Sequence, residues 1–354
     1  MNILLLSAYD AVSHQYWRQQ LVTGFPEWRF QVLTLPPRHF SWRARGSAMA
    51  FSDQLGDNFD VDLVLATSVT DLATLKGLSP QLSQKPSLVY FHENQFAFPS
   101  QVDASRLLEA QLTSIYTAMS ADRLIFNSEF NRRTFFEGAQ ALLARFPDSV
   151  PNSLVSQLKP KSLVLPVPLN DALFSETHCA STRDIVWNHR WEFDKGPERL
   201  LAVVHEIVRR VPEGKVHLVG QQFRQIPEAM RTALALLERH GRLGRVGYLK
   251  NRLEYERLLK DSQFVLSTAD QEFQGLAVME AMALGCIPVV PDQLAYPEYV
   301  PDAHRYLDPN GAGDSLCKDV SENPRAWVER FAFKNQAATW RDLVQGAERD
   351  FRPR

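Results

Sequence analysis

Short apolar runs alternate with helical patterns along most of this sequence, and that alternation constrains the fold more than any other feature. The first half contains six runs of this kind: 3–6, 30–35, 63–66, 88–91, 124–126 and 163–165. Most of them are unbroken rather than alternating with polar residues, which predicts strands buried on both faces, as in a parallel sheet. The first half is therefore expected to be a doubly wound α/β domain.

The same alternation resumes in the second half, after a Pro-rich segment at 166–170 and an irregular polar stretch that ends near residue 183. These two features predict an interdomain linker. Four further strands are predicted over 185–187, 216–219, 264–266 and 287–290. We expect two Rossmann-like doubly wound domains facing a central cleft, where such folds bind ligands.

The predicted domains are an N-terminal one over 1–170 and a C-terminal one over 171–325. A final helical segment over 326–354 carries Trp327, Phe331 and Trp340, and we expect it to pack back toward the N-terminal domain.

Composition excludes several classes of protein. The 354 residues contain 39 Lys and Arg against 41 Asp and Glu, a net charge of -2, which excludes a protein that coats nucleic acid. The three cysteines, Cys179, Cys286 and Cys317, form no CxxC pair, so neither a disulfide framework nor a structural zinc site is expected. The N-terminus lacks signal-peptide features and no run reaches the ~20 apolar residues of a membrane span. A cytoplasmic protein that does not bind membranes is predicted.

The segment 264–290 carries the clearest chemistry. Gly275 permits a tight entry into a helix after the strand at 264–266, and Gly285 ends that helix. Free N–H groups at the helix start, near Leu276, favour a phosphate. Glu272 and Glu280 lie eight positions apart, one before and one inside the helix, and can bracket polyol hydroxyls. The alternative is a helix-capping Glu272 and a surface Glu280.

This segment resembles the E-x7-E donor site of retaining nucleotide-sugar glycosyltransferases with the GT-B fold. The resemblance implies that Glu272 contacts the hydroxyls of the donor sugar and that Glu280 contacts the donor ribose. The stretch 187–196 resembles the basic loop of the same family, where Arg190 and Lys195 can neutralise a leaving diphosphate without a metal ion. Positions that line the nucleotide base in this family are matched by Gly220, Gly247, Tyr248 and Leu249.

A narrower resemblance covers nearly the whole chain. Five motifs in order are similar to those of the tRNA-queuosine mannosyltransferase family: 42–48, 90–95, 126–131, 189–192 and 296–298. The resemblance implies transfer of mannose from GDP-mannose to the cyclopentenediol of queuosine in the anticodon of aspartate tRNA, with no cofactor and no metal. It leaves the oligomeric state open.

The resemblance also assigns residues of the first domain. It departs near the N-terminus, where the family's Gly-Gly-Ser-His loop is Ala11-Val12-Ser13-His14, so only Ser13 and His14 carry over as donor contacts. His92, which follows the strand at 88–91, is implied to touch the donor sugar or to shape the acceptor pocket. The residues implied on the acceptor side are Glu93, Asn94, Gln95 and Asn127. Glu93 is a candidate base, although the departing phosphate can take the acceptor proton in a front-face mechanism.

A local basic segment stands out from the near-neutral chain. Residues 38–45 combine Arg38, Arg43 and Arg45 with Trp42 and neighbouring aromatics. This composition suits phosphate contacts and base stacking on an anticodon loop, whereas a solvated basic loop or helix start is the alternative.

Two other functions remain open at this stage. The same chemistry can act on a lipid or a cell-surface glycan, in which case a basic amphipathic helix docks on the membrane. The candidate helix, 105–119, has one Arg and one Glu, which argues against that reading. A non-catalytic scaffold that binds nucleotide or RNA is the second alternative, and the presence of both glutamates and both cations disfavours it.

Overall fold

The computed structural model describes residues 1–56, 59–97, 104–151, 153–175, 180, 182–223, 225–318 and 322–352. The chain divides into two compact units, one formed by Met1–Pro168 with Gln336–Arg354 and the other by Leu169–Asn335. Cys179 and part of the predicted linker lie outside the described residues.

The second unit continues ten residues beyond the predicted end at 325. Val328 and Phe331 are buried in its core, and Leu169 forms a β-bridge with Ala332. These contacts tie the segment after 325 to the second unit, and only the chain from Gln336 onward belongs to the first.

The first unit is built on a six-stranded parallel sheet with the order β2-β1-β3-β4-β5-β6. Its strands are β1 (Asn2–Ser7), β2 (Arg29–Thr34), β3 (Leu63–Thr67), β4 (Ser87–Phe91), β5 (Arg123–Phe126) and β6 (Ser162–Val164). Its helices are α1 (Val12–Gly24), α2 (Phe40–Leu55), α3 (Leu72–Leu78), α4 (Ala104–Ser120), α5 (Glu129–Leu143) and α6 (Leu154–Leu158). The central strands β3 and β4 are buried along their whole length, as their contiguous apolar residues predict.

The second unit repeats this plan, with the strand order β12-β11-β10-β7-β8-β9 and parallel pairing throughout. Its strands are β7 (Ile185–Trp187), β8 (Val216–Val219), β9 (Leu243–Gly247), β10 (Phe264–Leu266), β11 (Ile287–Pro291) and β12 (Arg305–Tyr306). Its helices are α7 (Pro197–Arg210), α8 (Glu228–Arg239), α9 (Arg252–Asp261), α10 (Leu276–Ala283), α11 (Pro309–Cys317) and α12 (Pro324–Val328).

The last helix, α13 (Phe333–Asp350), starts in the second unit and ends in the first. Its Trp340 is fully buried, with its ring centroid 5.8 Å from Tyr90 and 6.2 Å from Trp17. Arg341 adds an ion pair of 2.8 Å to Glu27. The burial of aromatic surface fixes this helix to the first unit.

Both sheets confirm the doubly wound prediction. In each, the chain starts at a central strand, winds to one edge and then returns to build the other side, so the order reverses between β1 and β3 and between β7 and β10. In sheets of this kind, ligands bind beyond the carboxyl ends of the strands, at such points of reversal. None of the helices in the described ranges combines the length and apolar character that crossing a bilayer demands.

Candidate functional site

A largely buried ion pair lies at the strand-order reversal of the second unit, with side chains 10% and 19% exposed. Lys195 ends a short turn after β7, and Glu272 lies in the loop between β10 and α10. The Lys195 Nζ is 3.2 Å from the Glu272 Oε2 and donates to the Gln271 carbonyl at 2.9 Å. Burial opposes both charges, but each carries the opposite charge for the other: the pKa of Lys195 is raised and that of Glu272 is lowered. The structure thus brings together two predicted site residues that are 77 positions apart.

Arg190 lies beside this pair with its own acidic partners. Its guanidinium is 2.9 Å from the Glu192 carboxylate and 3.5 Å from that of Asp194, and Asp194 also lies 3.2 Å from the Lys195 Nζ. The two predicted cations are therefore already paired with carboxylates. A diphosphate placed here would have to compete with these carboxylates for Arg190 and Lys195.

His189 is a buried member of this cluster. In the sequence it stands out only as part of the motif at 189–192. It is 4% exposed, and its Nε2 has no hydrogen-bond partner within the described part of the chain. Burial, reinforced by the charges of Lys195 and Arg190, lowers the pKa of His189 to about 3 despite the opposing effect of Glu272. The imidazole is neutral at physiological pH and holds a free nitrogen, which suits it to a hydrogen bond with a ligand.

The neutral state of His189 predicts acid-sensitive stability. The unfolded chain protonates this histidine below about pH 6.5, whereas the folded chain resists protonation down to about pH 3. The unfolded state therefore binds more protons across that window, and stability is lost as pH falls through it. We expect this residue alone to lower the free energy of unfolding by about 2 kcal/mol between pH 7 and pH 5.

Denaturant unfolding at the two pH values measures this effect as a difference between variants. His189→Asn, which cannot titrate, should lose less stability on acidification than the native chain. His205→Asn, at an exposed position, is the matched control and should behave as the native chain does. Equal acid sensitivity in all three proteins would contradict the assignment of a buried neutral imidazole.

The entry to helix α10 requires glycine. Gly275 has φ +83°, and a Cβ there would overlap the Tyr299 hydroxyl and meet the Tyr296 ring at 3.1 Å. Tyr296, the first residue of the predicted motif at 296–298, therefore packs against this turn. The helix begins at Leu276 with no acidic residue in its first turn, which leaves its N–H groups and dipole favourable to an anion.

Glu280 is an interior residue, and the alternative of a solvated helix surface is wrong. It is 6% exposed, and Arg252 of α9 donates to its two carboxylate oxygens at 2.9 and 3.2 Å. Burial raises the pKa of Glu280, and Arg252 counteracts this. Arg252 was missed in the sequence, because nothing in an arginine at a helix start reveals a partner 28 positions away.

The residues predicted to line the nucleotide base lie at the ends of β8 and β9. The Gly220 N–H donates to the Gly247 carbonyl at 3.1 Å, so the two glycines are neighbours. Tyr248 is 59% exposed, whereas Leu249 packs against the core of the second unit. Tyr248 therefore offers a free ring face, and Leu249 supports the turn.

In the first unit, two histidines and a glutamate meet at the ends of β1 and β4. The His14 and His92 rings stack with their centroids 4.0 Å apart, and the His14 Nε2 lies 3.2 Å from the Glu93 Oε2. His92 Nε2 and His14 Nδ1 are buried without a hydrogen-bond partner in the described ranges. Burial, followed by the neighbouring His14, lowers the pKa of His92. Ser13 is exposed in the first turn of α1.

Asn94 and Asn127 do not present their amides to a ligand, contrary to the prediction for both. The Asn94 side chain donates to Asn131 and Thr134 and accepts from two backbone N–H groups. Asn127 donates to the His92 carbonyl at 2.8 Å and accepts from Asn131 at 2.8 Å. These amides are satisfied within the protein, so they hold the loop that carries His92 and Glu93. Gln95, which is partly exposed, lies in the same loop.

The predicted basic segment forms the start of helix α2. Trp42 is 56% exposed, and its indole lies directly over Gly46, where a Cβ would be 2.6 Å from the ring. Arg38 is exposed, and Arg43 donates to the Pro36 carbonyl at 3.3 Å. Arg45 differs because its guanidinium is 2.7 Å from the buried Asp71 and 3.4 Å from Glu109. Arg45 therefore pairs with two carboxylates although its side chain is 46% exposed, and Arg38, Trp42 and Arg43 also face solvent at least in part.

Acidic residues do not converge on a metal position in the described residues, where no group of three or more His, Cys, Asp or Glu is placed to hold an ion. Asp60 and Asp62 bind Asn2 next to β1, at 3.1 and 2.7 Å, consistent with a lead-in to β3.

Comparison with known proteins identifies the class. The whole chain is similar to HepE of Anabaena (98% of this chain, 100% of that one, TM-score 0.69, 13% identity) and to the sucrose-phosphate synthase of Thermosynechococcus elongatus (98% of each chain, TM-score 0.70, 16% identity). A family model described as glycosyl transferases group 1 matches residues 176–329. The fold and this match define a glycosyltransferase with the GT-B fold.

The matches also identify a family within this class of glycosyltransferases. A second model, described as the N-terminal region of tRNA-queuosine alpha-mannosyltransferase, matches residues 2–169. The Drosophila melanogaster protein of that name is 32% identical over 327 residues, which cover 89% of this chain and 86% of the relative. A GDP-mannose:cellobiosyl-diphosphopolyprenol alpha-mannosyltransferase of Xanthomonas oryzae is 23% identical over 42% of this chain and 37% of its own. The chain belongs to the tRNA-queuosine alpha-mannosyltransferase family.

Proposed function

We propose that this protein transfers mannose from GDP-mannose, with retention of configuration, to the cyclopentenediol of queuosine in the anticodon of aspartate tRNA, and that it acts in the cytoplasm. The observation that carries the proposal is the family match over 2–169, because that half distinguishes queuosine enzymes from glycosyltransferases at large. The 32% identity to the Drosophila relative extends the support over both halves.

The second unit supplies the donor chemistry in this proposal. Glu272 binds hydroxyls of the sugar, Glu280 binds the ribose, and the base lies against Gly247 and Tyr248. Lys195 and Arg190, with the N–H groups at Leu276, receive the charge that develops on the departing diphosphate. A metal ion is not needed for this step, since the two cations and the helix dipole do that work.

The proton of the acceptor hydroxyl needs an acceptor in this reaction. In a front-face displacement, the bond from the anomeric carbon to the phosphate oxygen breaks as the bond to the acceptor oxygen forms. The departing phosphate oxygen then takes the proton of the acceptor hydroxyl, so no separate base is required. Glu93, held by His14, orients the diol in this proposal, and neutral His92 contributes a hydrogen bond from its unpartnered nitrogen.

The experiment is nucleoside mass spectrometry of tRNA from cells that lack this protein, with the purified enzyme added back. Hexosyl-queuosine should disappear on deletion and should form again from GDP-mannose in vitro. Aspartate tRNA that lacks queuosine is the control acceptor and should remain unmodified. If mannose appears instead on a polyprenol-linked glycan, the acceptor resembles that of the Xanthomonas relative and the tRNA proposal fails.

Trp42 gives a separate test of the RNA side. Its exposed indole on α2 suits stacking with a loop base, an interaction worth about 1–3 kcal/mol, which corresponds to roughly five- to 150-fold in affinity. We expect Trp42→Ala to raise the KM for tRNA by about that factor and to leave the KM for GDP-mannose unchanged. Met49→Ala, an exposed apolar residue on the same helix, is the control. An unaltered tRNA KM in the Trp42 variant would contradict the stacking role.

A further inference from the structure

Arg252 forms an ion pair with Glu280, and the proposed function leaves Arg252 without a role. Two nitrogens of the guanidinium contact two oxygens of the carboxylate, at 2.9 and 3.2 Å. This bidentate geometry fixes the carboxylate in one orientation as well as supplying charge. The third nitrogen, Nε, contacts Glu256 one turn along α9 at 2.5 Å.

Arg252, whose side chain is 46% exposed, is held by a network of neighbouring contacts. Its guanidinium lies 5.4 Å from the centroid of the Tyr255 ring. The Tyr255 hydroxyl accepts from Asn188 at 2.8 Å, and Asn188, at the end of β7, also donates to the Ala277 carbonyl at 2.9 Å in the first turn of α10. The same network therefore connects the fork of Arg252 to the turn that is expected to receive the diphosphate.

The pair does not use the whole hydrogen-bonding capacity of the Glu280 carboxylate. A carboxylate oxygen accepts two hydrogen bonds, and Arg252 uses one position on each oxygen. One position on each oxygen remains, which matches the two vicinal hydroxyls of a ribose. Without a counter-charge, a buried carboxylate is driven toward its protonated form, which has lost part of its accepting capacity.

We propose that Arg252 is a positioning residue for the nucleotide, which holds Glu280 ionised and oriented so that its free lone pairs accept from the ribose hydroxyls. This inference rests on the proposal that the second unit binds a nucleoside diphosphate. Arg252 itself does not touch the reacting atoms.

The test combines one change in the protein with one change in the ligand, as in a double-mutant cycle. The dissociation constant of each combination is measured by calorimetry of the full chain. The ligands are GDP, 2′-deoxy-GDP and 3′-deoxy-GDP, and the proteins are the native chain and Arg252→Met. Hydrogen bonds to charged groups are worth enough that the native protein should lose about ten- to 100-fold in affinity when a contacted hydroxyl is removed. Arg252→Met should bind GDP more weakly than the native chain does, by a similar factor. Its affinity for the deoxy ligand should be little lower than its affinity for GDP.

Two further variants keep the result interpretable. Arg257 lies on the same helix, but its side chain is 85% exposed and its ion pair with Asp261 is long, at 3.8 Å. The variant Arg257→Met should therefore bind all three ligands as the native chain does. Arg252→Lys keeps a charge without the fork and should recover part of the GDP affinity. Thermal unfolding of each variant establishes that it is folded.

If the losses from the Arg252 substitution and from the missing hydroxyl are additive, the inference is overturned. A merely structural defect weakens the binding of all ligands alike, so removal of the hydroxyl would cost the variant as much affinity as it costs the native chain. Native GDP affinity in Arg252→Met overturns it as well. If the native chain binds UDP or ADP but not GDP, the cycle is run with that nucleotide, and only the choice of donor fails. If it binds none of them, the proposed function fails and the inference falls with it.

Discussion

Replacing Lys195 by Met should reduce turnover by about two to three orders of magnitude, which is the usual cost of removing one charge that stabilises a developing anion. The Lys195 ammonium is 3.2 Å from Glu272, and burial is offset by its carboxylate partners, which keep it charged. The ammonium therefore acts in a site where water is scarce and its field is strong. Steady-state kinetics with GDP-mannose and queuosine-containing tRNA measures the loss as a fall in kcat.

Controls for this variant separate chemistry from folding. Removal of Lys195 leaves the buried Asp194 and the 19% exposed Glu272 as neighbouring unpaired carboxylates. We expect this to destabilise the site by at most about 3–5 kcal/mol, the cost of breaking a fully buried pair. The double change Lys195→Met with Glu272→Gln should regain stability without regaining turnover. Lys334→Met, whose ammonium is exposed and 3.7 Å from Glu329, should retain native activity. Unchanged turnover in Lys195→Met would remove this residue from the mechanism.

The sheets were accessible to sequence reasoning because buried parallel strands consist of contiguous apolar residues. The ten predicted runs coincide with strands, within a residue or two at their ends. The two strands that were missed lack that signal: β9 carries exposed Arg245 at the sheet edge, and β12 is only two residues long. Edge strands bury less surface, so their composition resembles that of loops.

The candidate site was accessible only where its residues share a local motif. Glu272 and Lys195 each lie in the loop that follows a strand, and the parallel sheet brings such loops to the same edge. Arg252 has no local mark, and its pairing with Glu280 depends on how α9 and α10 pack. Asn94 is the opposite case. Its motif is clear in the sequence, but its amide makes hydrogen bonds within the protein. A motif identifies a position, whereas the hydrogen-bond partners of that residue decide whether it faces a ligand.

Gly220 should be among the least replaceable residues of the second unit. Its φ is +145°, and a Cβ would overlap the His189 carbonyl oxygen, which belongs to the loop that carries Arg190. Strained backbone costs about 1–3 kcal/mol and overpacking a further 1–3, so Gly220→Ala should destabilise the protein by about 2–6 kcal/mol. Against a typical total of about 5–15 kcal/mol, that loss leaves the second unit at the margin of folding.

Two other glycines separate the components of this effect. Gly241 has φ +64° with no atom within 4 Å of a built Cβ, so Gly241→Ala should show strain alone, about 1–2 kcal/mol. Gly346 lies in helix α13 with neither strain nor overlap, and its replacement by alanine should be neutral or stabilising by up to about 1 kcal/mol. Denaturant unfolding should rank the three variants in that order. A Gly220 variant no less stable than the Gly241 variant would show that the loop yields, and in that case its GDP affinity should fall instead, because the displaced segment carries His189 and Arg190.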